Sequence, residues 1–188
     1  MLKRILLLVG LLGISACANT AQLDEPPVNM GNFKLGHVAV VVNEPEQGPF
    51  SRNATDDELK AALEKAIQDR FAAYDGDKFY HIGVKLDLYA LAMPGVPVVM
   101  SPKSVFIVSA SFWEDETQTR LSEEGGKGLT VYEGASTETI VSSGLFRGKA
   151  AQMKILSDNT AKAIQDWILE NPQWIGLASG DEPAAIDN

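Results

Sequence analysis

Few residues in this chain have the type and spacing that catalysis or metal binding requires. The two histidines, His37 and His81, fall on separate predicted strands, and nothing in their spacing brings them together with a carboxylate. Asp75-Gly76-Asp77 lacks the later ligands of a calcium loop, so a helix-ending turn explains it better. Residues 125–128, Gly-Gly-Lys-Gly, do not have the spacing of a phosphate-binding loop. We therefore expect no catalytic residue, no metal, no cofactor and no enzymatic activity.

The single cysteine, Cys17, ends an N-terminal segment that has the features of an export signal. Lys3-Arg4 gives a basic start, and an apolar run of about ten residues follows from Ile5 to Ile14. That run is too short for a membrane-spanning helix, which needs roughly 20 residues, and it fits a secretory signal instead. Because the chain has one cysteine, it can form neither an internal disulfide nor a zinc site built on thiolates.

Ile14-Ser15-Ala16-Cys17 resembles the lipobox of bacterial lipoproteins, in which an aliphatic residue and two small residues precede the cysteine that is acylated. The resemblance implies that residues 1–16 are a cleaved signal peptide and that Cys17 is the lipid-bearing first residue of the mature chain. Several acyl chains on Cys17 would bind the membrane stably, because two or more chains are needed for that. The alternative is an ordinary cleaved signal that leaves Cys17 as a bystander.

Residues 17–32 and 176–188 are predicted to lie outside the folded domain, which spans residues 33–175. The first segment contains Pro26-Pro27 and no periodicity, so we interpret it as a linker behind the lipidated cysteine; the second is predicted to be a disordered acidic tail. Ala18 stands where Asp marks inner-membrane retention in well-studied lipoproteins. This favours the outer membrane over the inner membrane, with the domain facing the periplasm. The net charge of −9 argues against nucleic-acid binding, which depends on clustered Lys and Arg.

Residue periodicity predicts two helices and several strands in the domain. Thr55 and Glu58 form a capping-box pattern at the start of a helix of about 18 residues, whose apolar stripe runs from Leu59 to Tyr74. A second amphipathic helix starts at about Ala150 and is stopped by Asn171-Pro172. The strands are predicted at residues 33–42, 80–90 and 105–113, with a shorter strand pair at 119–121 and 129–133.

The predicted fold is α+β, with two helices packed on one face of a mostly antiparallel sheet in the order β-α-β-β-(β-β)-α. Over residues 33–174 this order is similar to that of small envelope accessory lipoproteins such as the lipopolysaccharide-assembly lipoprotein. The similarity rests on the order of the elements and on the final amphipathic helix with Trp167. It implies a non-enzymatic accessory protein that supports a larger envelope machine, and it transfers no functional residue.

Two surfaces are candidates for contact with a partner or a ligand. The first is an apolar loop broken by prolines, and its candidate contacts are Met93, Val96, Val98, Val99 and Met100. The second is the sheet face opposite the helices, where alternation places His81, Lys85, Tyr89 and Trp113. Either surface has a structural alternative, because the loop could fold back as core and another element could cover the sheet face.

We expect a membrane-anchored accessory or interaction subunit of an envelope assembly or transport complex. Its partners would be the membrane, through acyl chains on Cys17, and an envelope protein. The alternative is a carrier of a lipid or a small hydrophobic ligand, with the apolar loop as a gate, which would need an apolar pocket of roughly 300–1,000 Å³ between helices and sheet. A hydrolase, which would need convergent titratable residues in a cleft, is the third hypothesis.

Overall fold

The computed structural model describes residues 28–93, 104–133 and 148–177. Within these ranges the chain forms β1 (Phe33–Gln47), α1 (Asp56–Phe71), β2 (Lys78–Ala90), β3 (Val105–Glu114), β4 (Thr119–Arg120), β5 (Lys127–Tyr132) and α2 (Lys149–Leu169), followed by a 3₁₀ helix at Pro172–Ile175. The predicted α+β fold is confirmed. None of the helices in the described ranges combines the length and the apolarity needed to cross a membrane.

The sheet has the order β1-β2-β3, and both β4 and β5 lie on the far side of β3. β1 is parallel to β2 across the α1 connection, whereas the other pairings are antiparallel, so the mostly antiparallel sheet is confirmed. The predicted pairing of the two short strands with each other does not occur. β4 pairs with Trp113 and Glu114 at the end of β3, and β5 pairs with the first part of β3.

The first helix begins at the predicted residue because its capping box is formed. The Glu58 N–H donates to Thr55 Oγ1 at 3.2 Å, and the Thr55 N–H donates to Glu58 Oε2 at 2.9 Å. The helix buries one apolar stripe, formed by Leu59, Leu63, Ala66, Ile67 and Phe71. It packs over β1 and against α2, which in turn covers β3 and β5, so both helices lie on the same side of the sheet.

Aromatic rings fill the space between the helices and the sheet. The Tyr80 ring lies 5.5 Å from the Phe33 ring and 5.1 Å from the Phe112 ring, centroid to centroid, and is nearly parallel to both. The Tyr80 hydroxyl donates to the Trp174 carbonyl at 2.9 Å, which ties the 3₁₀ helix to the core. Met30, which lies in the predicted linker, is only 2% exposed and also packs into this core.

Two strands depart from the predicted regularity. β1 continues beyond its predicted end at Val42 to Gln47, because Glu46 and Gln47 pair with the end of β2. An edge strand tolerates Pro45. β2 has a register shift between Leu86 and Leu88 that reverses the alternation of its side chains. Tyr89 therefore faces the helices at 5% exposure, opposite Phe106, and not the other side of the sheet, where alternation placed it.

Candidate functional site

The side of the sheet that faces away from the two helices is here called the open face. The β2–β3 register places His81 opposite Trp113 and Lys85 opposite Ser109. Directly opposed residues point to the same side of a sheet. His81, Lys85 and Trp113 therefore share the open face, where alternation predicted them, and their role as contacts stays a prediction.

Exposed apolar side chains concentrate on the open face. Six large hydrophobic side chains are exposed in the described part of the chain. Four of them lie on the open face, namely Val41 at 52%, Phe79 at 47%, Trp113 at 38% and Tyr132 at 55%. The other two, Phe50 and Met93, follow β1 and β2. Phe79 and Trp113 lie towards one end of this face, Val41 lies near its middle, and Tyr132 lies at its other end, so the four share a face and are spread along it.

A shallow depression of about 260 Å³ lies on the open face. We call it the His–Trp pocket, and its main lining residues are His37, Ala39, His81, Gly83 and Trp113. It exists because Ala39 and Gly83 carry little side chain between the larger rings; a Cβ added at Gly83 would come within 2.5 Å of Ser111 Oγ. The pocket has the size of one side chain or small group, and its walls are ring surfaces.

Trp113 is held in place from two sides. Its Nε1–H donates to Ser111 Oγ at 3.3 Å. The Arg120 guanidinium, which β4 brings opposite Trp113, lies 5.6 Å from the centre of the indole ring. An exposed tryptophan that carries an arginine on its ring combines the two residue types most enriched in binding hot spots.

His81 clamps a bulge in β1. Leu35 pairs with Tyr80 and Val38 with Ile82, so Gly36 and His37 together oppose His81. The His37 N–H donates to His81 Nδ1 at 3.0 Å, which leaves His81 Nε2 to donate to Asp115 Oδ1 at 2.8 Å. Both ring nitrogens of His81 thus have hydrogen-bond partners within the protein.

Gly36 is required where the His81 ring approaches β1. A Cβ added at Gly36 would lie 2.6 Å from His81 Nδ1. His37 was not predicted to contribute to this face, although a glycine inside a β-branched run is a signal for a bulge or a close approach. The His37 ring stacks on the His81 ring, with centroids 5.1 Å apart and planes inclined by 24°.

In the described part of the chain, no group of three or more metal-binding side chains is found.

The charged residues beside the pocket form ion pairs with one another. Lys78 lies 3.0 Å from Glu114 and 3.6 Å from Glu116. A hydrogen bond from Thr117 and then the Lys78 ammonium lower the pKa of Glu114, while the Glu114 carboxylate raises the pKa of Lys78. Both groups therefore keep their charge over a wide pH range and largely neutralise each other.

Further along the open face, Asp87 accepts from Lys85 at 2.7 Å and from Ser109 at 2.6 Å. Partial burial raises the pKa of Asp87, but the two hydrogen bonds outweigh this effect and the pKa is lowered.

A second cavity, of about 460 Å³, lies where α2 ends. It is more polar than the His–Trp pocket, and its lining includes Glu123, Lys127, Trp167, Glu170 and Trp174. The Trp167 and Trp174 rings meet edge to face there, with centroids 5.3 Å apart. This cavity lies between the end of α2 and β5, since Lys127 and Gly128 of the strand and Trp167 of the helix are in its lining.

Several predicted site residues lie outside the described ranges, namely Cys17, Val96, Val98, Val99 and Met100. Met93, the first residue of the apolar loop, is described and is 41% exposed. The Ala92 N–H donates to Ser104 Oγ at 3.1 Å, so the two ends of the loop meet at the edge where β2 ends and β3 begins. The role of the loop stays a prediction.

No model of a known protein family matches the chain, and no curated protein matches it. Three solved structures of bacterial proteins are similar to it at low identity. A protein of the DUF330 family from Xanthomonas campestris is 13% identical with a TM-score of 0.41, covering 75% of this chain and 86% of that one. A minor lipoprotein from Acinetobacter baumannii is 13% identical with a TM-score of 0.30, covering 72% and 93%.

The third is a candidate lipoprotein from Caulobacter crescentus, 10% identical with a TM-score of 0.37, covering 75% of this chain and 92% of that one. All three TM-scores are below 0.5, so none of these likenesses supports an inference about what this chain binds.

Proposed function

We propose that this protein is a non-enzymatic envelope lipoprotein that binds a protein partner through the open face, as an accessory or interaction subunit of an assembly or transport complex. One observation carries the proposal: four of the six exposed large hydrophobic side chains in the described residues lie on this face, on the side of the sheet away from α1 and α2. The His–Trp pocket among them would receive one side chain of the partner, with Trp113 and Arg120 as the anchoring contacts.

The anchor in this proposal is acylated Cys17 in the outer membrane, with the domain in the periplasm. The lipobox resemblance supports the acylation, and Ala18 supports the choice of membrane. Position 17 and Val28, the first described residue, are 28 − 17 = 11 residues apart. Such a segment reaches at most roughly 40 Å at 3.3–3.6 Å per residue. The partner would therefore be a membrane protein or a periplasmic protein close to that membrane.

The carrier hypothesis receives less support from the described residues. A carrier needs an apolar pocket of roughly 300–1,000 Å³. The His–Trp pocket is shallow at about 260 Å³, and the larger cavity of about 460 Å³ is lined by charged and polar groups. Aromatic side chains occupy the space between helices and sheet that a ligand would need.

Site-specific photocrosslinking in native membranes tests the proposal. The full-length chain would carry a benzophenone side chain in place of Phe79, which is 47% exposed on the open face, so that Trp113 is retained. A matched variant would carry it at Lys65, a 75% exposed residue on α1. We expect one reproducible envelope protein to crosslink to position 79 and to be absent from position 65. Replacing residues 93–100 by Gly and Ser in the same strain would show whether the apolar loop shares the interface.

The outcomes separate the hypotheses. Capture of lipid alone at position 79 would favour the carrier, and equal crosslinking at positions 79 and 65 would contradict a binding role of the open face. The anchor is tested separately by Cys17→Ser, which should move the protein from the membrane fraction to the soluble fraction. Mass spectrometry of the natural chain should find the acyl groups on Cys17; an unmodified thiol would exclude lipidation.

A further inference from the structure

From Val38 to Val42 the outer edge of β1 is unpaired within the described part of the chain. β1 is 15 residues long and pairs with β2 along its inner side. Apart from that pairing, the described residues bridge β1 at its start only, where Lys34 forms an isolated antiparallel bridge with Asp75 and the Gly76 N–H donates to the Phe33 carbonyl at 3.0 Å. A strand edge presents backbone N–H and C=O groups that can pair with another strand, and proteins usually interrupt such edges with charges, prolines or bulges.

In β1 these interruptions are confined to the two ends. The bulge at Gly36–His37 comes at one end, and a second register shift with Pro45 comes at the other. The segment between them, Val38–Val42, has the sequence Val-Ala-Val-Val-Val and contains no charge, glycine or proline. Ala39 and Val41 are exposed beside this edge, Val41 at 52%. The edge is thus open to pairing over five apolar residues.

We propose that β1 of a second copy of this chain pairs antiparallel with this edge, about a twofold axis at Val40. Antiparallel pairing of a strand with itself is closed by a twofold axis, and each copy contributes the same surface. The axis places Val38 opposite Val42 and Ala39 opposite Val41, so each apolar residue meets an apolar residue. Such cross-strand pairs are the units that stabilise a sheet.

The flanks of the segment match this axis as well. The register shifts fall between Leu35 and Val38 and between Val42 and Glu46, at nearly equal distances on either side of Val40. In the pair, therefore, the regular segments meet each other and the irregular ends meet each other. The pairing ends before Lys34, whose backbone is bridged to Asp75 and whose ammonium pairs with the Asp75 carboxylate within the same copy.

The first experiment is disulfide trapping of the full-length protein in detergent. Ala39→Cys with Val41→Cys would place cysteines directly opposite each other in the two copies, at the short Cβ separation that a disulfide requires. The matched control is Ala39→Cys with Asn43→Cys, which sets each cysteine opposite a different residue. We expect a disulfide-linked dimer from the first pair under mild oxidation and at least about tenfold less from the second. Both variants retain Cys17, so any disulfide formed through Cys17 adds equally to the dimer measured for each variant.

The second experiment is Val41→Glu in the otherwise natural chain. In the single copy, Val41 is next to Lys85 across the β1–β2 pair, so the new carboxylate is accommodated. In the paired sheet it would have to be desolvated against Ala39 of the other copy. We expect self-association measured by sedimentation to weaken at least about tenfold, whereas Phe50→Glu, at a 71% exposed loop residue, should leave it unchanged.

Equal trapping of the two cysteine pairs would overturn the proposal, because it would show no defined register. Unchanged association of the Val41→Glu variant would also overturn it, since any dimer would then use another surface. Trapping of a different protein by the Ala39/Val41 cysteine pair, without the homodimer, would show that another chain occupies this edge. Circular dichroism of each variant checks that the fold is retained.

Discussion

On the helix side of the sheet, Phe33, Tyr80 and Phe112 stack against one another and are at most 1% exposed, whereas on the open face Phe79 and Trp113 are 47% and 38% exposed. The rings of the first group are removed from water by folding, and their burial stabilises the domain. The rings of the second group keep much of their apolar surface in water. Their remaining surface is available for binding, which is the physical basis for assigning function to the open face.

Phe112 and Trp113 allow this comparison to be tested at adjacent positions. The Phe112 ring contacts the rings of Phe33, Tyr80 and Trp174 at centroid distances of 6.1, 5.1 and 5.7 Å. We expect Phe112→Ala to lower the free energy of unfolding by about 3–5 kcal/mol because it leaves a cavity. Trp113→Ala should cost about 1 kcal/mol or less and should abolish the crosslink of the open face to its partner. Urea unfolding measures the first quantity; similar losses for the two variants would contradict the distinction between the faces.

A double-mutant cycle measures the contact between the His81 ring and the β1 bulge. Gly36→Ala should cost about 1–3 kcal/mol, because the new methyl group would overlap the His81 ring. His81→Ala should cost about 1–2 kcal/mol, because the His37 N–H loses its acceptor. In the His81→Ala background, Gly36→Ala should cost less by at least about 1 kcal/mol. Additive losses would mean that the ring does not limit position 36.

The elements that sequence patterns predicted well are those fixed by neighbouring residues. The capping box needs Thr55 and Glu58, three residues apart, and α1 begins there. The stripe of α2 is also local, since its buried residues Leu156, Thr160, Ile164 and Trp167 recur at helical spacing. The alternation of β2 holds from Tyr80 to Leu86 because each residue follows the pleat without interruption.

The features that the sequence did not reveal depend on distant residues. Asp87 is held by Lys85 and Ser109 at the β2 register shift, and that shift turns Tyr89 toward the helices. The partner of β5 depends on Gly126, whose added Cβ would lie 2.6 Å from the Ala110 carbonyl oxygen. The His–Trp pocket needs the β1 bulge, which forms only when β1 lies parallel to β2. No local pattern specifies such pairings.

Removal of the α1 cap should lower the free energy of unfolding by less than Phe112→Ala or Gly36→Ala does in the sheet. Thr55→Ala deletes the oxygen that accepts from the Glu58 N–H. We expect a loss of about 1 kcal/mol in the free energy of unfolding. Thr55→Ser keeps the accepting oxygen and should therefore retain most of the stability that Thr55→Ala loses. Thermal or urea unfolding of the three proteins is the measurement, and an equal loss for the Ala and Ser variants would point to the methyl group of Thr55 instead of the cap.

Loss of the ion pair between Lys149 at the start of α2 and Glu58 at the start of α1 should change the free energy of unfolding least, and the change should depend on pH. Lys149 Nζ lies 2.7 Å from both carboxylate oxygens of Glu58. This hydrogen-bonded pair, together with the Thr55 N–H, lowers the pKa of Glu58 from its ordinary value of 4.5. Because the folded pKa is the lower one, the stabilisation is complete above 4.5 and is lost as the pH falls through the lowered value.

Lys149→Met should therefore reduce stability at about pH 7 and flatten the fall of stability toward about pH 3. The matched control is Lys154→Met, which removes a 2.7 Å pair with Asp158 within α2 and does not touch α1. Unfolding midpoints across this pH range should separate the two variants, with the smaller acid dependence in Lys149→Met. If both variants follow the natural chain at every pH, the Lys149–Glu58 pair does not contribute to stability, and the helices are held to each other by their apolar stripes and by the part-buried hydrogen bond from Arg70 to Gln165.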